Sequence, residues 1–269
     1  MTASPGLPLD LSGRTALVTG STAGLGYAIA DTLARAGANV VLHGLQADTQ
    51  AQAACDEMAR RYGVKTLLNG ADLRDVDQIE ALVGQAHATF GGVDIVVNNA
   101  VIRHFAPAHE LARQQWDDEV AVNLSAAFHL ARLTLGAMRQ KAWGRIINLS
   151  SVYGTGATAN RVGYITTKTA LLGMTRALAI ETAATGVTCN AVSPGTVPTP
   201  AITSRIADIA REQGVSVEQA EREYLATRQP TGRFVAMENV AALIGFLCSE
   251  AARDITGASL PIDGGWSAA

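Results

Sequence analysis

Short, almost continuously apolar runs recur along the chain, between longer segments that are rich in alanine and leucine. We predict that these runs are β-strands covered on both faces, because a strand covered on one face alternates apolar and polar residues. The runs are RTALVTG, ANVVLHG, KTLLNGA, VDIVVNNA, GRIINLSS, VTCNAVSPG and ASLPIDGG. Helical segments such as GYAIADTLARAG and LLGMTRALAIETAATG lie between strands. The alternation predicts right-handed crossovers and an α/β fold, a Rossmann-type doubly wound parallel sheet.

The alternation is interrupted once, between residues 196 and 233. Pro198, Pro200 and Pro230 bracket an amphipathic stretch there, which we expect to form a helical lid over the carboxyl ends of the strands. No linker-like, charged or low-complexity segment divides the 269 residues. We therefore predict one domain over residues 1–269, with the lid inside it.

Composition places the chain among globular proteins. Hydrophobic residues make up 48% and charged residues 17% of the sequence, and the net charge is -3. A charge this small creates no field that would attract nucleic acid or an anionic membrane. The N-terminal segment lacks the basic and apolar regions of an export signal, and no window has the roughly 18 apolar residues of a membrane span. We expect a cytoplasmic protein without nucleic acid or membrane partners.

Cysteine and histidine spacings do not predict a metal site. Cys55, Cys189 and Cys248 are odd in number and far apart, which fits neither a disulfide framework nor a zinc site. We interpret them as reduced, structural thiols. None of the five histidines forms an H-x-x-x-H pair or lies near a cysteine pair, so metal catalysis is not predicted.

A glycine-rich turn, TGSTAGLG at residues 19–26, connects the first predicted strand to the first helix. Gly20 permits a tight turn, Gly24 allows the backbone to approach a pyrophosphate, and Gly26 allows close helix packing. The N–H groups at the start of the helix are then free to bind phosphate oxygens. The spacing T-G-x-x-x-G-x-G differs from the G-x-G-x-x-G of many dinucleotide-binding proteins, but its position between strand and helix predicts the same ligand.

Tyr164 and Lys168, in the segment YITTK, are one helical turn apart and share a helix face. A nearby ammonium favours the phenolate and lowers the pKa of a tyrosine from its usual value of about 10. Tyr164 would then serve as an acid or base near neutrality. The same spacing also fits a half-buried aromatic side chain beside a surface lysine, and the pair alone does not separate the two interpretations.

The chain resembles the short-chain dehydrogenases/reductases over nearly its whole length. The resemblance is carried by these two motifs together with NNA at residues 98–100, VNLSAAF, INLSS and PGTVPTP. The resemblance implies a catalytic tetrad of Asn123, Ser151, Tyr164 and Lys168. Tyr164 would exchange a proton with the substrate oxygen as hydride moves to or from the nicotinamide, and Ser151 would bind the same oxygen.

The resemblance assigns supporting roles to the other two members of the tetrad. Lys168 would also hold the nicotinamide ribose, and Asn123 would order a water chain to Tyr164. Without the resemblance, Asn123 also fits a helix cap and Ser151 a strand-end cap. Val101 stands where the family usually has a glycine after NNA, which changes the backbone beside the expected nicotinamide position.

The resemblance also implies the cofactor contacts. These are Gly20, Thr22, Gly24, Leu25, Gly26, Gly44, Asp72, Leu73, Asn99, Tyr164, Lys168, Pro194, Gly195 and Val197. An acidic residue at the end of the second strand would bind the ribose 2′-hydroxyl of NAD, and a cation would bind the 2′-phosphate of NADP. Gly44 offers neither, and LHGLQ and TGSTAGLG contain no cation, so we predict NAD rather than NADP. Asp72 resembles an adenine contact of the family, although a loop carboxylate is the ordinary alternative.

Within the family, the chain looks most like bacterial D-3-hydroxybutyrate dehydrogenases, which bind a carboxylate with a few polar side chains. The resemblance implies substrate contacts at Arg103, Ser151, Tyr153, Arg161 and Arg205. Three guanidinium groups favour a more strongly anionic or larger substrate, because arginine binds carboxylate, sulfonate or phosphate through two parallel N–H bonds. Arginines matching positions 161 and 205 also resemble a sulfonate-binding pair of another family member. The alternative for each is a surface ion pair, and His104 is interpreted as pocket wall.

The leading hypothesis is an NAD-dependent oxidoreductase that transfers hydride between nicotinamide and a secondary alcohol or ketone. Its substrate would be a small anion such as a hydroxy acid, sugar acid or hydroxy sulfonate. One alternative is an NADPH-dependent 3-oxoacyl thioester reductase, which would favour cations at the end of the second strand. Another is a non-catalytic dinucleotide-binding regulator. The resemblance and the apolar C-terminal segment ASLPIDGGW also predict a homotetramer.

Overall fold

Each of the seven apolar runs contains a strand of one parallel sheet. The computed structural model describes residues 9–269, apart from the side chain of Ala201; residues 1–8, which belong to the predicted domain, lie outside the described range. The strands are β1 (Thr15–Val18), β2 (Asn39–His43), β3 (Thr66–Asn69), β4 (Ile95–Asn98), β5 (Gly144–Leu149), β6 (Val187–Pro194) and β7 (Ser259–Ile262). Their order across the sheet is β3-β2-β1-β4-β5-β6-β7, which confirms the predicted Rossmann-type α/β fold.

Burial along the strands follows the apolar pattern in the centre of the sheet and departs from it at the edges. Strands β1, β4, β5 and β6 are buried at every position, as expected for strands covered on both faces. The prediction of full burial is wrong for the two edge strands. Strand β3 is partly buried throughout, and β7 alternates exposed and partly buried residues, because an edge strand has one neighbouring strand and less cover from the helices.

Helices cover both faces of the sheet. They are α1 (Gly24–Arg35), α2 (Thr49–Tyr62), α3 (Val76–Phe90), α4 (Arg113–Val120), α5 (Ala126–Gln140), α6 (Val162–Thr182), α7 (Pro200–Gln213), α8 (Val217–Ala226) and α9 (Met237–Cys248). One hydrophobic core lies under α1 and α9 and includes Leu33 and Ile244. The other lies under α3, α5 and α6 and includes Leu82, Leu130 and Leu178. The strand order changes direction between β1 and β4, and ligands of such sheets bind at the carboxyl ends near this point.

The predicted insertion is helical, but it consists of two helices, α7 and α8. Gly214 ends α7 in a left-handed conformation with φ of 66°, and the Ser216 side chain caps α8 by accepting from the Gln219 N–H at 3.2 Å. The insertion has a small hydrophobic cluster of its own around Ile206 and Ala220. Its role as a lid stays a prediction.

Helices α4 and α5 are continuous through a wider, π-helical turn at Ala121–Ser125. Within residues 9–269, the resulting helix Arg113–Gln140 is the one that is long and apolar enough, by length and composition alone, to cross a membrane. Core helices of globular proteins meet the same criteria, and this helix contributes Leu130 and Met138 to the core under the sheet. The π-helical turn was not predicted from the sequence, because the apolar periodicity continues through it.

Candidate active site

The glycine-rich turn after β1 forms an anion cradle at the start of α1. Gly20 and Gly24 have φ of 62° and 57°, a conformation that residues with a Cβ rarely adopt. A Cβ on Gly26 would collide with the carbonyl oxygen of Gly20, so α1 packs this closely on the turn because position 26 is glycine. Ala23, at the N-cap, makes no side-chain hydrogen bond to the helix. The first N–H groups of α1 are therefore available to phosphate oxygens.

Asn99 and Thr19 hold this turn in place. Asn99 Nδ2 donates to the carbonyl oxygens of Thr19 and Gly20, both at 2.9 Å. Thr19 Oγ1 accepts from the backbone N–H groups of Asn99 and Ala100, both at 3.0 Å. Asn99, a predicted cofactor contact, thus also determines the shape of the cradle by joining the ends of β1 and β4.

His43, the last residue of β2, joins three parts of the cradle. Its Nδ1 accepts from the Gly20 N–H at 3.2 Å, and its Nε2 lies 2.8 Å from the Ala71 carbonyl oxygen. Because a carbonyl oxygen can only accept, we assign the proton to Nε2 and the ring is neutral. Burial lowers the pKa of His43 below its usual value, which favours the same form. This residue was not predicted from the sequence, where its signal was a histidine that ends an otherwise apolar strand.

The end of β2 has no room for a side chain at position 44. A Cβ on Gly44 would lie 2.6 Å from Thr22 Oγ1, so these two predicted contacts adjoin each other. Asp72, after β3, binds Arg74, whose Nε is 3.0 Å from each carboxylate oxygen, and this bond lowers the pKa of Asp72. Arg74 NH1 is also 3.6 Å from Asp118. Arg74 is therefore already shared between two carboxylates and is not a free cation beside the cradle.

The remaining predicted cofactor residues lie at the same edge of the sheet. Pro194 ends β6, and the Gly195 N–H donates at 3.0 Å to the carbonyl oxygen of the last residue of β7. The side chains of Leu73 and Val197 are buried in the two cores, and Leu25 is partly buried on the first turn of α1. A dinucleotide would therefore meet chiefly backbone groups at positions 73 and 197.

Tyr164 and Lys168 lie on the first two turns of α6, and both are almost completely buried. Lys168 Nζ is 5.8 Å from the centre of the Tyr164 ring, so its charge acts on the phenol at short range. Ser151 follows β5, and its Oγ accepts from the Tyr153 N–H at 3.2 Å. Ser151 thus caps the short 3-10 helix Val152–Gly154 that follows the strand, and its hydroxyl hydrogen is still available to another acceptor.

Little replaces the water that the Lys168 ammonium loses on folding. Its Nζ donates to the Leu149 carbonyl oxygen at 2.5 Å, and no carboxylate in the described part of the chain forms an ion pair with it. Burial, with a smaller contribution from the charge of Arg103, lowers the pKa of Lys168 to about 7. The lysine is then partly charged at neutrality, and added hydrogen-bond acceptors at Nζ would favour its charged form.

Asn123 lies inside the π-helical turn and does not cap a helix, so that alternative interpretation is wrong. Its Oδ1 accepts from the Ile102 N–H at 2.8 Å, and its Nδ2 donates to the Ile102 carbonyl oxygen at 2.9 Å. Nδ2 is also 3.3 Å from Thr167 Oγ1, which donates to the Tyr164 carbonyl oxygen at 3.0 Å. Asn123 therefore connects the segment after β4 to the helix that carries Tyr164.

Two arginines flank the tyrosines of the site. Arg103 Cζ is 5.2 Å from the centre of the Tyr164 ring, and Arg161 Cζ is 4.7 Å from the Phe105 ring and 5.4 Å from the Tyr153 ring. Across residues 9–269, neither arginine forms an ion pair with a carboxylate. A guanidinium stacked on an aromatic ring keeps its N–H groups free for an anion. The site is therefore locally cationic beside its acid/base candidate.

Arg205 has a different environment. It lies on α7 with more than half of its side chain exposed, and its NH1 is 3.4 Å from Glu212 on the same helix. Arg205 thus forms a surface ion pair, which was the alternative interpretation of this residue from the sequence. A role for Arg205 in substrate binding stays a prediction.

A cavity of about 460 Å³ opens beside Tyr153. Arg228 of the lid segment and Trp266 near the C-terminus line it, and the Trp266 ring packs edge-on against the Tyr153 ring at 5.5 Å. Neither residue was predicted from the sequence to lie in the site, and nor was Phe105. Their separation from Tyr153 along the chain is long, so no local pattern could have placed them there.

The cysteines do not take part in this arrangement. Cys55, Cys189 and Cys248 are free and buried, and burial raises the pKa of both Cys189 and Cys248 to about 12. These two therefore stay protonated thiols at neutral pH. Residues 9–269 contain no group of three His, Cys, Asp or Glu side chains that could hold a metal ion.

Comparison with known proteins agrees with this geometry. A protein-family model described as Enoyl-(Acyl carrier protein) reductase matches residues 20–267. D-beta-hydroxybutyrate dehydrogenase of Cupriavidus necator is 45% identical over 259 residues, which are 96% of this chain and 99% of that protein. The chain belongs to the short-chain dehydrogenase/reductase family. The predicted family and the resemblance to 3-hydroxybutyrate dehydrogenases are thereby confirmed.

Other members of the family show a wider range of substrates. 3-Oxoacyl-(acyl-carrier-protein) reductase FabG of Aquifex aeolicus is 36% identical over 259 residues, which are 96% of this chain and 99% of that protein. The crystal structure of L-sorbose reductase from Gluconobacter frateurii, complexed with NADPH and L-sorbose, matches with a TM-score of 0.93 and 29% identity, covering 98% of this chain and 100% of that one. This short-chain dehydrogenase/reductase is thus an oxidoreductase that uses a nicotinamide dinucleotide.

Proposed function

We propose that this protein is an NAD-dependent dehydrogenase that oxidises, reversibly, a secondary alcohol on a small anionic substrate. The substrate class is a hydroxy acid, a sugar acid or a hydroxy sulfonate. The observation that carries the proposal is the pair of guanidinium groups, Arg103 and Arg161, which flank Tyr164 and Tyr153 without a carboxylate partner among the described residues. The name of the 45% identical relative, D-beta-hydroxybutyrate dehydrogenase, supports the same substrate class.

The chain's own residues supply the proton chemistry of this reaction. The Tyr164 phenolate accepts the proton of the substrate hydroxyl, and the alcohol becomes a ketone. Bound NAD supplies the acceptor for the hydride, so the products are ketone, reduced cofactor and one proton. Ser151 Oγ donates a hydrogen bond to the substrate oxygen, and a donor of this kind commonly lowers the barrier by about 3 to 4 kcal/mol. Lys168 Nζ, 5.8 Å from the centre of the Tyr164 ring, places its charge beside the group that exchanges the proton.

In this proposal, Arg103 and Arg161 bind the anionic group and so orient the alcohol towards Tyr164. A guanidinium presents two parallel N–H donors to a carboxylate or sulfonate, and its planar geometry is retained while it stacks on a ring. The aromatic side chains of Phe105, Tyr153 and Tyr164 keep water away from one face of each cation. Reduced access of water strengthens an ion pair relative to one on the open surface.

The test is a comparison of Arg161→Ala and Arg103→Ala on 3-hydroxybutyrate, a hydroxy sulfonate and a neutral secondary alcohol of similar length. We expect Arg161→Ala to lose about 2 to 4 kcal/mol of transition-state stabilisation, measured as kcat/KM on the anion, which is the scale for removing one partner of a desolvated charge pair. Arg103→Ala should lose less, because Arg103 is exposed and water screens its charge. The loss on the neutral alcohol should be far smaller. Arg113→Ala is the matched control, because Arg113 is an exposed arginine of α4 that pairs with Asp117. Equal losses on charged and neutral substrates would overturn the anion-binding role.

The preference for NAD is supported by the cradle at the end of β2. The Gly44 position has no room for a cation beside Thr22, and Arg74 is engaged by Asp72 and Asp118. We expect NADH to bind at least about tenfold more tightly than NADPH, because the 2′-phosphate has no cationic partner there. Fluorescence titration of both cofactors measures this. Tighter NADPH binding together with turnover of a 3-oxoacyl thioester would instead favour the thioester reductase, while no turnover on any substrate would favour a regulator.

We also propose that the enzyme is a cytoplasmic homotetramer. Large apolar side chains remain exposed on the helices of one face, at Trp116 of α4, Phe128 of α5 and Ile180 of α6. Exposed apolar groups of this kind are common at interfaces between copies of a chain. The partly exposed edge strand β7, which belongs to the C-terminal segment ASLPIDGGW, offers a second surface for association.

A further inference from the structure

Glu119 is a buried carboxylate that the proposed chemistry does not use. It lies near the end of α4 and has no exposed surface. Its Oε1 accepts from the backbone N–H of His104 at 2.6 Å, and its Oε2 has no hydrogen-bond partner among the described residues. A buried polar group so placed destabilises the fold unless nearby dipoles favour it.

The backbone that faces Glu119 belongs to the start of α6. Gly163 is the second residue of that helix and directly precedes Tyr164. A Cβ on Gly163 would collide with Glu119 Oε2, so the carboxylate lies against the backbone of the first turn. The N–H groups of a first turn have no acceptor within the helix, and their partial positive charge favours a carboxylate. Glu119 therefore lies between the segment after β4 and the start of the helix that carries Tyr164.

Glu119 and Asn123 act on the same short segment. They are four residues apart and so lie on one face of the helix. Asn123 binds both backbone groups of Ile102, and Glu119 binds the N–H of His104. Arg103 lies between these two bound residues, and its guanidinium is the one over the Tyr164 ring. The backbone on either side of Arg103 is thus fixed by side chains of a single helix.

We propose that Glu119 is a positioning residue: together with Asn123 it fixes residues 102–104 and thereby holds Arg103 at the anionic group of the substrate. The inference rests on the anion-binding role of Arg103 in the proposed function. Glu119 itself touches neither substrate nor cofactor. Its loss lets Arg103 occupy other positions while Ser151 and Tyr164 stay in place. The effect is therefore weaker binding of the anionic substrate, with the chemical step retained.

The first test compares Glu119→Met with Glu119→Gln on 3-hydroxybutyrate. Methionine has a similar length and no acceptor for the His104 N–H, and we expect KM to rise roughly tenfold, the scale of one hydrogen bond to a charged group, with kcat within about threefold. Glutamine keeps an acceptor oxygen, so its KM should stay within about threefold of the wild-type value. A loss of kcat without a rise of KM in Glu119→Met would overturn the proposal.

A second pair of variants approaches the same contact from the other side and keeps Glu119 itself. Gly163→Ala adds the Cβ that collides with Oε2, so the carboxylate must move, and we expect the same rise of KM. Gly173→Ala makes the same substitution in the same helix, where a Cβ would meet nothing within 4 Å. This control should leave KM unchanged. Equal kinetics for the two alanine variants would overturn the proposal even if Glu119→Met fails to fold.

The double variant separates positioning from general support of the fold. If Glu119 acts through Arg103, then Glu119→Met should raise KM no further in an Arg103→Ala background. A full additional rise there would mean that Glu119 supports the site independently of Arg103, and the proposal would be wrong.

Hydrogen exchange distinguishes failure of the inference from failure of the proposed function. The His104 amide should exchange faster in Glu119→Met than in wild type, because its acceptor is gone, whatever the substrate. Unchanged exchange would show that Glu119 does not hold the segment. Faster exchange, with KM for every anion insensitive to Arg103→Ala, would instead mean that the segment is held but that the anion-binding role of Arg103 is wrong.

Discussion

Lys168 should make this protein less stable at neutral pH than it would be with an uncharged side chain of the same length. Its Nζ has one carbonyl acceptor, from Leu149, and is otherwise enclosed by protein. Burial lowers the pKa of Lys168 from 10.5 to about 7. Lys168→Met keeps most of the side chain's volume and removes the ammonium. We therefore expect the cofactor-free variant to have a higher free energy of unfolding than the wild type at pH 7.

The pH dependence of this difference follows from the pKa values of the folded and unfolded protein. The folded pKa is the lower one, so between about pH 7 and pH 10.5 the unfolded lysine binds a proton that the folded lysine releases. The wild type consequently gains stability as the pH rises through this window, and the variant lacks that gain. Between about pH 7.5 and pH 9, the stability difference should shrink by about 2 kcal/mol, since one unit of pH contributes about 1.4 kcal/mol while the two states differ by one proton.

Denaturant unfolding of both proteins without cofactor, at equal protomer concentration across this pH range, measures the difference. Groups whose pKa values do not depend on Lys168 cancel when the two curves are subtracted. Lys65→Met is the control, because Lys65 is exposed and its charge remains in water in the folded and unfolded protein alike. A difference between Lys168→Met and wild type that stays constant from about pH 7.5 to pH 9 would refute the reasoning, because the folded lysine would then hold its proton throughout.

Three further predictions concern the reaction, the cradle and the assembly. Tyr164→Phe should reduce kcat well below a tenth of the wild-type value, a barrier change above about 1.4 kcal/mol, while dinucleotide binding measured by fluorescence stays nearly intact; turnover above that level would exclude the phenol as the acid/base. The lowered pKa of His43 means that its neutral form stabilises the fold above the unfolded value of about 6.5 and that this stability is lost as the pH falls through the folded value. His43→Asn should therefore show a smaller loss of unfolding free energy between about pH 7 and pH 5 than the wild type, and identical losses would contradict the assignment. Sedimentation at micromolar concentration should give a tetramer, and replacement of the exposed Phe128 by Ser should shift it towards smaller species; a wild-type monomer would exclude the assembly.

The tertiary structure places Arg103 and Arg161 against aromatic rings of the site. Arg14, Arg61, Arg145 and Arg228 also lie over aromatic rings, those of Trp143, Tyr62 and Tyr224. Most arginines with a partner in this protein pair with carboxylates on the surface, as Arg60, Arg132 and Arg253 do, and such pairs contribute little to stability. Arg103 and Arg161 instead stack on the aromatic rings of the site. Side chains that are ordered without a carboxylate are ready to bind an anion at a small entropic cost.

The amino-acid sequence by itself determined the elements whose physical cause is local. Apolar runs of strand length predicted all seven strands, because each run is visible in the sequence of its own segment. The glycine spacing predicted the cradle, since Gly20 and Gly24 take up a backbone conformation that other residues rarely adopt. The four-residue spacing of Tyr164 and Lys168 predicted their shared face, because a helix places such residues side by side.

The tertiary structure decided what depends on distant segments. The side chain of Arg103 reaches the Tyr164 ring because Glu119 and Asn123 hold the segment after β4, whereas Arg205 pairs with Glu212 on α7. Nothing in the neighbouring sequence distinguishes these two arginines. Burial sets the pKa of Lys168 in the same way, since desolvation depends on everything packed around the ammonium and not on the residues beside it in the chain. Secondary-structure elements depend on residues that are neighbours in the sequence, but the environment of a charged side chain depends on the whole fold.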